Sequence, residues 1–338
     1  MANGVYSVEE PIPLRDAAQL YGVKVDRLRR AAWDGRLDAR LLGNQWVARP
    51  SEIERFLRDG GRRRTHIEPV ARREGAHMAR IIAVAVPKGG TGKTTTTLNL
   101  GAALVEKGKR VLLVDFDPQG SLSLALGERP DEQQATIHSA MKYYLSTFDP
   151  QLEVAIRPTS IGADLVPATI RLNLANAELT VAPQGELVLK KLLAPLTSRY
   201  DFVLIDTLPY LGILVENALV AAHEVLIPLE AEYLAVESVS LMLQQIQFMR
   251  KSGLNPDIVV RGILLTHVDT RTVLNRQFAE FTRKEFGSQV PVFDTVIRRS
   301  VRFPESQAYH QSILQYEPQG EGARAYRSVA QEVMDAAP

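Results

Sequence analysis

Apolar positions along the chain follow two different patterns. Beyond residue 79, short runs of Val, Ile and Leu with little alternation recur at residues 81–86, 111–115, 202–206, 225–229 and 259–266. Runs of this length, apolar on both sides, predict strands covered on both faces and therefore a parallel sheet. Between them, at residues 94–107 and 238–251, apolar positions repeat with helical spacing. Strands alternating with helices predict an α/β fold built on a doubly wound, mostly parallel sheet. Residues 128–162 carry a weaker pattern, a helix plus a short hairpin, and residues 322–338 read as a closing helix packed on the domain.

The first 57 residues are patterned for smaller elements. Residues 14–22 predict a short amphipathic helix ending at Gly22, and residues 25–33 a second helix after a tight turn, which is helix-turn-helix spacing. Residues 35–47 alternate and turn at Gly43-Asn44, as a β wing does. Ser51, Glu52, Ile53 and Glu54 read as a capping box opening a third helix. Trp33 and Trp46 are expected in the core of this module. Residues 58–79 have no apolar period, are rich in arginine and contain Pro69 and Gly75, so they read as a basic linker.

Charge sharpens this division. The net charge of +1 is the sum of +5 over residues 1–80 (16 basic, 11 acidic) and −4 over the remainder (24 basic, 28 acidic). A basic module joined to a mildly acidic one points weakly to nucleic acid at the basic end. The absence of cysteine excludes disulfides, iron–sulfur clusters and thiolate metal sites, and fits a cytoplasmic location. The start of the chain lacks the basic-then-apolar pattern of a signal peptide, and no segment offers the roughly 18 apolar residues of a membrane span.

The strongest chemical signal is Pro87, Lys88, Gly89, Gly90, Thr91, Gly92, Lys93, Thr94, Thr95, set between a buried strand and a helix. Glycines let backbone N–H groups curl around phosphate oxygens, and the helix N-terminus adds its positive dipole end. In such a loop Lys93 reaches the β- and γ-phosphates and the Thr94 hydroxyl binds Mg²⁺, which makes ATP and Mg²⁺ the expected ligands. Two further strands end in acids: Asp115 and Asp117 after the second apolar run, and Asp206 after the third. At the carboxyl edge of a parallel sheet these carboxylates face the nucleotide crevice.

The loop, with its second lysine at position 88, resembles the deviant Walker A P-loop NTPases, which include ParA, MinD and the nitrogenase iron protein. That resemblance implies that Lys88 reaches across an ATP-sandwich homodimer to the partner's phosphates. It also makes the Asp115–Gly120 stretch the A′ motif, with Asp117 orienting the attacking water and Asp115 supporting the Mg²⁺ shell, and Asp206 the Walker B acid. Leu208 and Tyr210 depart from the usual run after that acid. Iron-protein chemistry is excluded for want of cysteine, and the C-terminus lacks the membrane-seeking amphipathic tail of MinD-like action.

Residues 230–237, 264–272 and 297–302 resemble the ParA branch, and the likeness spans residues 79–336. It implies a catalytic set of Lys88, Lys93 and Asp117, nucleotide contacts from residues 88–95 with Thr266 and Asp269, and metal contacts from Thr94, Asp115 and Asp206. It further implies ATP-dependent, non-specific DNA binding through Arg271 and Arg302, with Arg299 beside them, a ParB-type partner that stimulates slow hydrolysis, and a nucleoid location. Residues 271–302 carry seven basic side chains against three acidic ones, an excess suited to phosphate contacts. Arg298 stands where the family usually has proline near the adenine.

The amino-terminal module resembles the winged helix-turn-helix of MerR or excisionase type. Its second helix carries Lys24, Arg27, Arg29 and Arg30 toward the major groove. The expected organisation is a winged helix-turn-helix domain at residues 1–57, a linker at 58–79 and a ParA-like ATPase domain at 80–338. The primary expectation is DNA partition. The alternatives are a nucleotide-regulated repressor acting through the winged helix, or nucleoid-based positioning of another cargo.

Overall fold

The computed structural model describes residues 11–33, 37, 39–42, 45–58, 78–130, 134–231, 235–269 and 271–336. These fall into two compact units, formed chiefly by residues 11–58 and by residues 78–336.

In the first unit β1 (Ile12–Pro13) leads into α1 (Leu14–Leu20), followed by α2 (Val25–Trp33), β2 (Ala39–Leu42), β3 (Gln45–Ala48) and α3 (Pro50–Arg58). The strands pair antiparallel in the order β1-β3-β2. Ile12, Leu14, Leu28, Leu37, Ile53 and Phe56 form the buried centre, with Trp46 packed against it. The register pairs Leu42 with Gln45; the expected turn at Gly43-Asn44 and the side chain of Trp33 lie outside the described residues. One expectation is corrected. Ser51 does not cap α3, because the helix begins a residue earlier at Pro50. Proline suits a first helical position, since its missing N–H would be unpaired there anyway. The Arg49 carbonyl accepts instead, from the N–H groups of Glu52 and Ile53.

The second unit runs β4 (Arg80–Val84), α4 (Lys93–Glu106), β5 (Val111–Phe116), α5 (Ser121–Ala125), α6 (Ile137–Thr147), β6 (Arg157–Pro158), β7 (Asp164–Val166), α7 (Leu174–Val181), α8 (Val188–Leu193), β8 (Phe202–Thr207), α9 (Ile213–Ala221), β9 (Glu224–Glu230), α10 (Ala235–Lys251), β10 (Val259–Thr266), α11 (Val273–Phe286), α12 (Arg302–Ala308), α13 (Ile313–Tyr316) and α14 (Glu321–Asp335). Among the described residues the strands order β10-β9-β4-β8-β5-β7-β6. Every neighbouring pair is parallel except β6–β7. β5 and β8 are buried at every position, as strands covered on both faces require.

β4 ends at Val84, short of the expected Val86. Ala85 still donates to the Leu226 carbonyl, but the chain then turns into the glycine loop. Because β8 inserts between β4 and β5, the acid-bearing ends of β5 and β8 stand side by side, with Asp115 paired in register to Asp206. α14 packs on α4, with Tyr326 fully buried and its hydroxyl 3.3 Å from that of Thr96. At the opposite end of the sheet Glu224, 1% exposed, accepts from Arg80 at 2.7 and 2.9 Å and from Arg261, tying β4, β9 and β10 together.

Candidate functional site

The glycine loop runs from the end of β4 to the start of α4. Gly90 and Gly92 take φ of 77° and 83°, a region L side chains rarely enter, so the loop conformation calls for glycine at both. Gly92 is the N-cap of α4. The loop and its surroundings form a cleft of about 370 Å³, lined by residues 89–95 with Asp117, Ser121, Pro209, His267 and Gln307.

Lys93 is 7% exposed and its ammonium folds back along the loop, donating to the Lys88 carbonyl at 2.7 Å and the Val86 carbonyl at 3.4 Å. Burial lowers its pKa, and the carboxylates of Asp206 and Asp117 pull the other way. The Thr94 hydroxyl donates to Asp206 Oδ2 at 2.7 Å, and Thr97 supports the other oxygen at 3.4 Å. Thr207, next in β8, anchors that strand to the Val84 carbonyl at 2.9 Å.

Three carboxylates crowd this end of the sheet in different settings. Asp206 is fully buried, and desolvation together with the Asp115 charge pushes its pKa well above the carboxylate range. Asp115 is also fully buried; desolvation raises it to about 6 even though Oδ2 accepts from Ser123 N–H at 2.8 Å and Ser123 Oγ at 2.6 Å. Asp117 is half-buried on the cleft wall, with Oδ1 accepting from the Gln119 N–H at 2.9 Å. Buried acids whose pKa values are raised by desolvation, beside a lysine and a threonine hydroxyl, are what a divalent cation would relieve. Among the described residues no cluster could cage a metal with protein ligands alone. That suits Mg²⁺, which keeps water and takes phosphate oxygens beside one or two carboxylates. The donor set of Thr94 and Asp206, with Asp115 behind, fits such an ion.

The remaining expected residues divide. Lys88 is half-buried and not on the cleft wall. Thr266 was expected at the nucleotide, but it is 1% exposed and its hydroxyl donates to the Thr91 carbonyl at 2.9 Å, so it props the loop from beneath. Asp269 is gripped by the Arg271 guanidinium at 2.8 and 2.9 Å, which holds its carboxyl down at about 2. Arg299 pairs with Glu230 at 3.6 Å, and Arg302 with Glu305 at 2.9 Å; both arginines are exposed. In the first unit Lys24, Arg27, Arg29 and Arg30 are all exposed on or just before α2.

Sequence reasoning missed Gln307 and His267. The Gln307 carboxamide donates to the Thr95 hydroxyl at 3.0 Å from 212 residues away, and nothing local marks it. His267 lies inside a stretch the sequence singles out, and its φ of 52°, unusual for a residue other than glycine, is visible only in the structure.

A family model described as an AAA domain matches residues 79–260. The sporulation initiation inhibitor protein Soj of Bacillus subtilis is 41% identical over 258 residues, covering 76% of this chain and 98% of the relative. The chromosome partitioning protein ParA of Myxococcus xanthus is 39% identical over 260 residues, covering 77% and 89%. A structure titled cobyrinic acid a,c-diamide synthase from Mycobacterium smegmatis, with bound ATP analogue and magnesium, is 37% identical with a TM-score of 0.65, covering 75% of this chain and 93% of that one.

Proposed function

The chain belongs to the ParA/Soj family of chromosome-partitioning ATPases and hydrolyses ATP with Mg²⁺, and from that premise we propose that it is a DNA-segregation ATPase that cycles on and off DNA. ATP closes a homodimer in which Lys88 reaches the partner's phosphates. The closed dimer binds DNA non-specifically, and a ParB-type partner stimulates hydrolysis and release. A cytoplasmic, nucleoid-associated protein is the consequence, and no helix among the described residues is long and apolar enough to cross a membrane.

The observation that carries this reading is the position of the carboxyl end of β10. Thr266 there bonds to the phosphate loop, His267 lines the cleft, and Asp269 holds Arg271, with the Arg299 charge also acting on Asp269. Nucleotide site and basic face are thus built on one strand end. A bound triphosphate acts on the same few residues that carry the candidate DNA contacts.

In hydrolysis, Lys93 and the N–H groups of residues 89–95 neutralise and orient the phosphates. Thr94 and Asp206 would hold a Mg²⁺ ion, which would supply charge neutralisation of the triphosphate, with Asp115 as the buried anion behind them. Gln119 fixes one oxygen of Asp117, which leaves the other to accept from the attacking water. The products are ADP and phosphate.

A second reading is favoured by one observation, the exposed basic set on and just before α2 in the same unit as the antiparallel β2–β3 pair. We propose that this unit is a winged helix-turn-helix that binds a defined DNA site, so that the nucleotide state also regulates transcription. Binding to non-specific duplex at stated salt, with no nucleotide, ADP, ATP and a non-hydrolysable analogue, tests the first reading. Binding that requires the triphosphate and survives deletion of residues 1–77 is expected. Binding indifferent to nucleotide, and lost with residues 1–77, would leave only the second.

A further inference from the structure

His267 stands in the cleft wall with a backbone conformation that costs free energy for any residue but glycine. Its neighbours hold it there. Val268 N–H donates to the Ile297 carbonyl at 3.1 Å, Arg299 N–H donates to the Val268 carbonyl at 3.1 Å, and Thr266 accepts from Ala231. Its Nε2 edge lies against the phosphate loop, 3.8 Å from where a Cβ on Gly92 would sit. Its Nδ1 edge faces Glu230 Oε1 at 3.5 Å. That same oxygen lies 3.6 Å from the Arg299 guanidinium. One half-buried carboxylate is therefore shared between a ring facing the nucleotide cleft and an arginine whose side chain is 70% exposed on the basic face.

We propose that His267 is a nucleotide-binding residue and that Glu230, which it shares with Arg299, couples occupancy of the cleft to the DNA-binding face. The imidazole meets the triphosphate nucleotide over Gly92. When His267 engages the nucleotide, Arg299 becomes the chief partner of Glu230 and swings with it. The shared carboxylate thus reports filling of the cleft to the basic surface. Arg271, already gripped by Asp269, completes the charge set at this corner. The coupling rests on the reading that the basic face binds DNA; the nucleotide contact does not.

Two variants separate these parts. His267→Asn removes the imidazole but keeps a residue that tolerates positive φ. Titration with a fluorescent ATP analogue and Mg²⁺, in the absence of DNA, is expected to show affinity about tenfold weaker, the loss of one hydrogen bond to a charged group. Thermal melting without nucleotide checks that the variant is folded. Unchanged affinity in a folded variant would overturn the nucleotide role. Glu230→Gln removes the shared charge and leaves the cleft wall. It is expected to change nucleotide-free DNA affinity by about two- to fivefold, the range of a partly exposed ion pair, and to shrink the ratio of ATP-bound to nucleotide-free affinity. An unchanged ratio in Glu230→Gln overturns the coupling. Should the unsubstituted protein bind DNA without regard to ATP, the partition reading falls instead, while the His267 titration still decides the nucleotide contact.

Discussion

Replacing Asp115 with asparagine should make the nucleotide-free protein more stable at neutral pH, although it strips a carboxylate from the ATP site. Folding moves this acid from an ordinary value of 3.8 to about 6 by burying it completely. At about 1.4 kcal/mol per tenfold, the charged form costs about 3 kcal/mol at pH 7.5. The sign follows from the direction. An acid raised on folding is no burden below pH ~4, and the stability it permits is lost as pH climbs through about 6. Asparagine escapes that loss. With its oxygen at the Oδ2 position it keeps the two Ser123 bonds, and it sets an NH₂ toward the Asp117 N–H, which Oδ1 now meets at 3.4 Å. That mismatch costs about 1 kcal/mol. The net gain is ~1–2 kcal/mol at pH 7.5, roughly 2–4 °C per kcal/mol in Tm, and it should vanish or reverse by pH 4.5. Urea unfolding by circular dichroism at pH 4.5, 6 and 7.5, without nucleotide, measures it. A variant equally destabilised at all three values would refute the assignment of a desolvated, strained carboxylate. The stabilisation conferred by Mg–ATP should shrink in the same variant, because the charge that the cation offsets has gone.

Three further outcomes follow from the geometry. Asp117→Ala should keep ATP affinity but lose turnover by about 10²–10⁴-fold, read by phosphate release against analogue binding; unchanged turnover would remove Asp117 from the water. Glu224→Ala should cost about 3–5 kcal/mol by stranding Arg80 and Arg261, whereas Glu224→Gln should cost less, both measured by chemical denaturation. Gly185→Ala should destabilise the protein by more than about 2 kcal/mol, because a Cβ there would stand 1.9 Å from the Leu179 carbonyl oxygen; a Tm within a degree of the original would show that the α7–α8 corner adapts freely.

The sequence alone determined the class of the fold and the loop that holds the phosphates. Both are written in contiguous residues: unbroken Val/Ile/Leu runs for doubly covered strands, and glycines with Lys93 and Thr94 for a strand-to-helix turn. Asp115, Asp117 and Asp206 were legible for the same reason, each ending an apolar run. Their roles were implied only by the family resemblance, and their unequal burial was not legible at all. Sheet order puts β8 beside β5, and that adjacency buries Asp115 against Asp206 while leaving Asp117 on the wall. Pro50, rather than the Ser51 pattern, starts α3, because a fixed φ at the first helical position outweighs a cap that can act only from outside the helix. Thr266 under the loop, Gln307 on Thr95, the Glu224 cluster and the carboxylate shared by His267 and Arg299 join residues between 37 and 212 positions apart. No local period encodes such pairings. They arise from strand order and register, where a slip of one residue would turn each side chain to the opposite face.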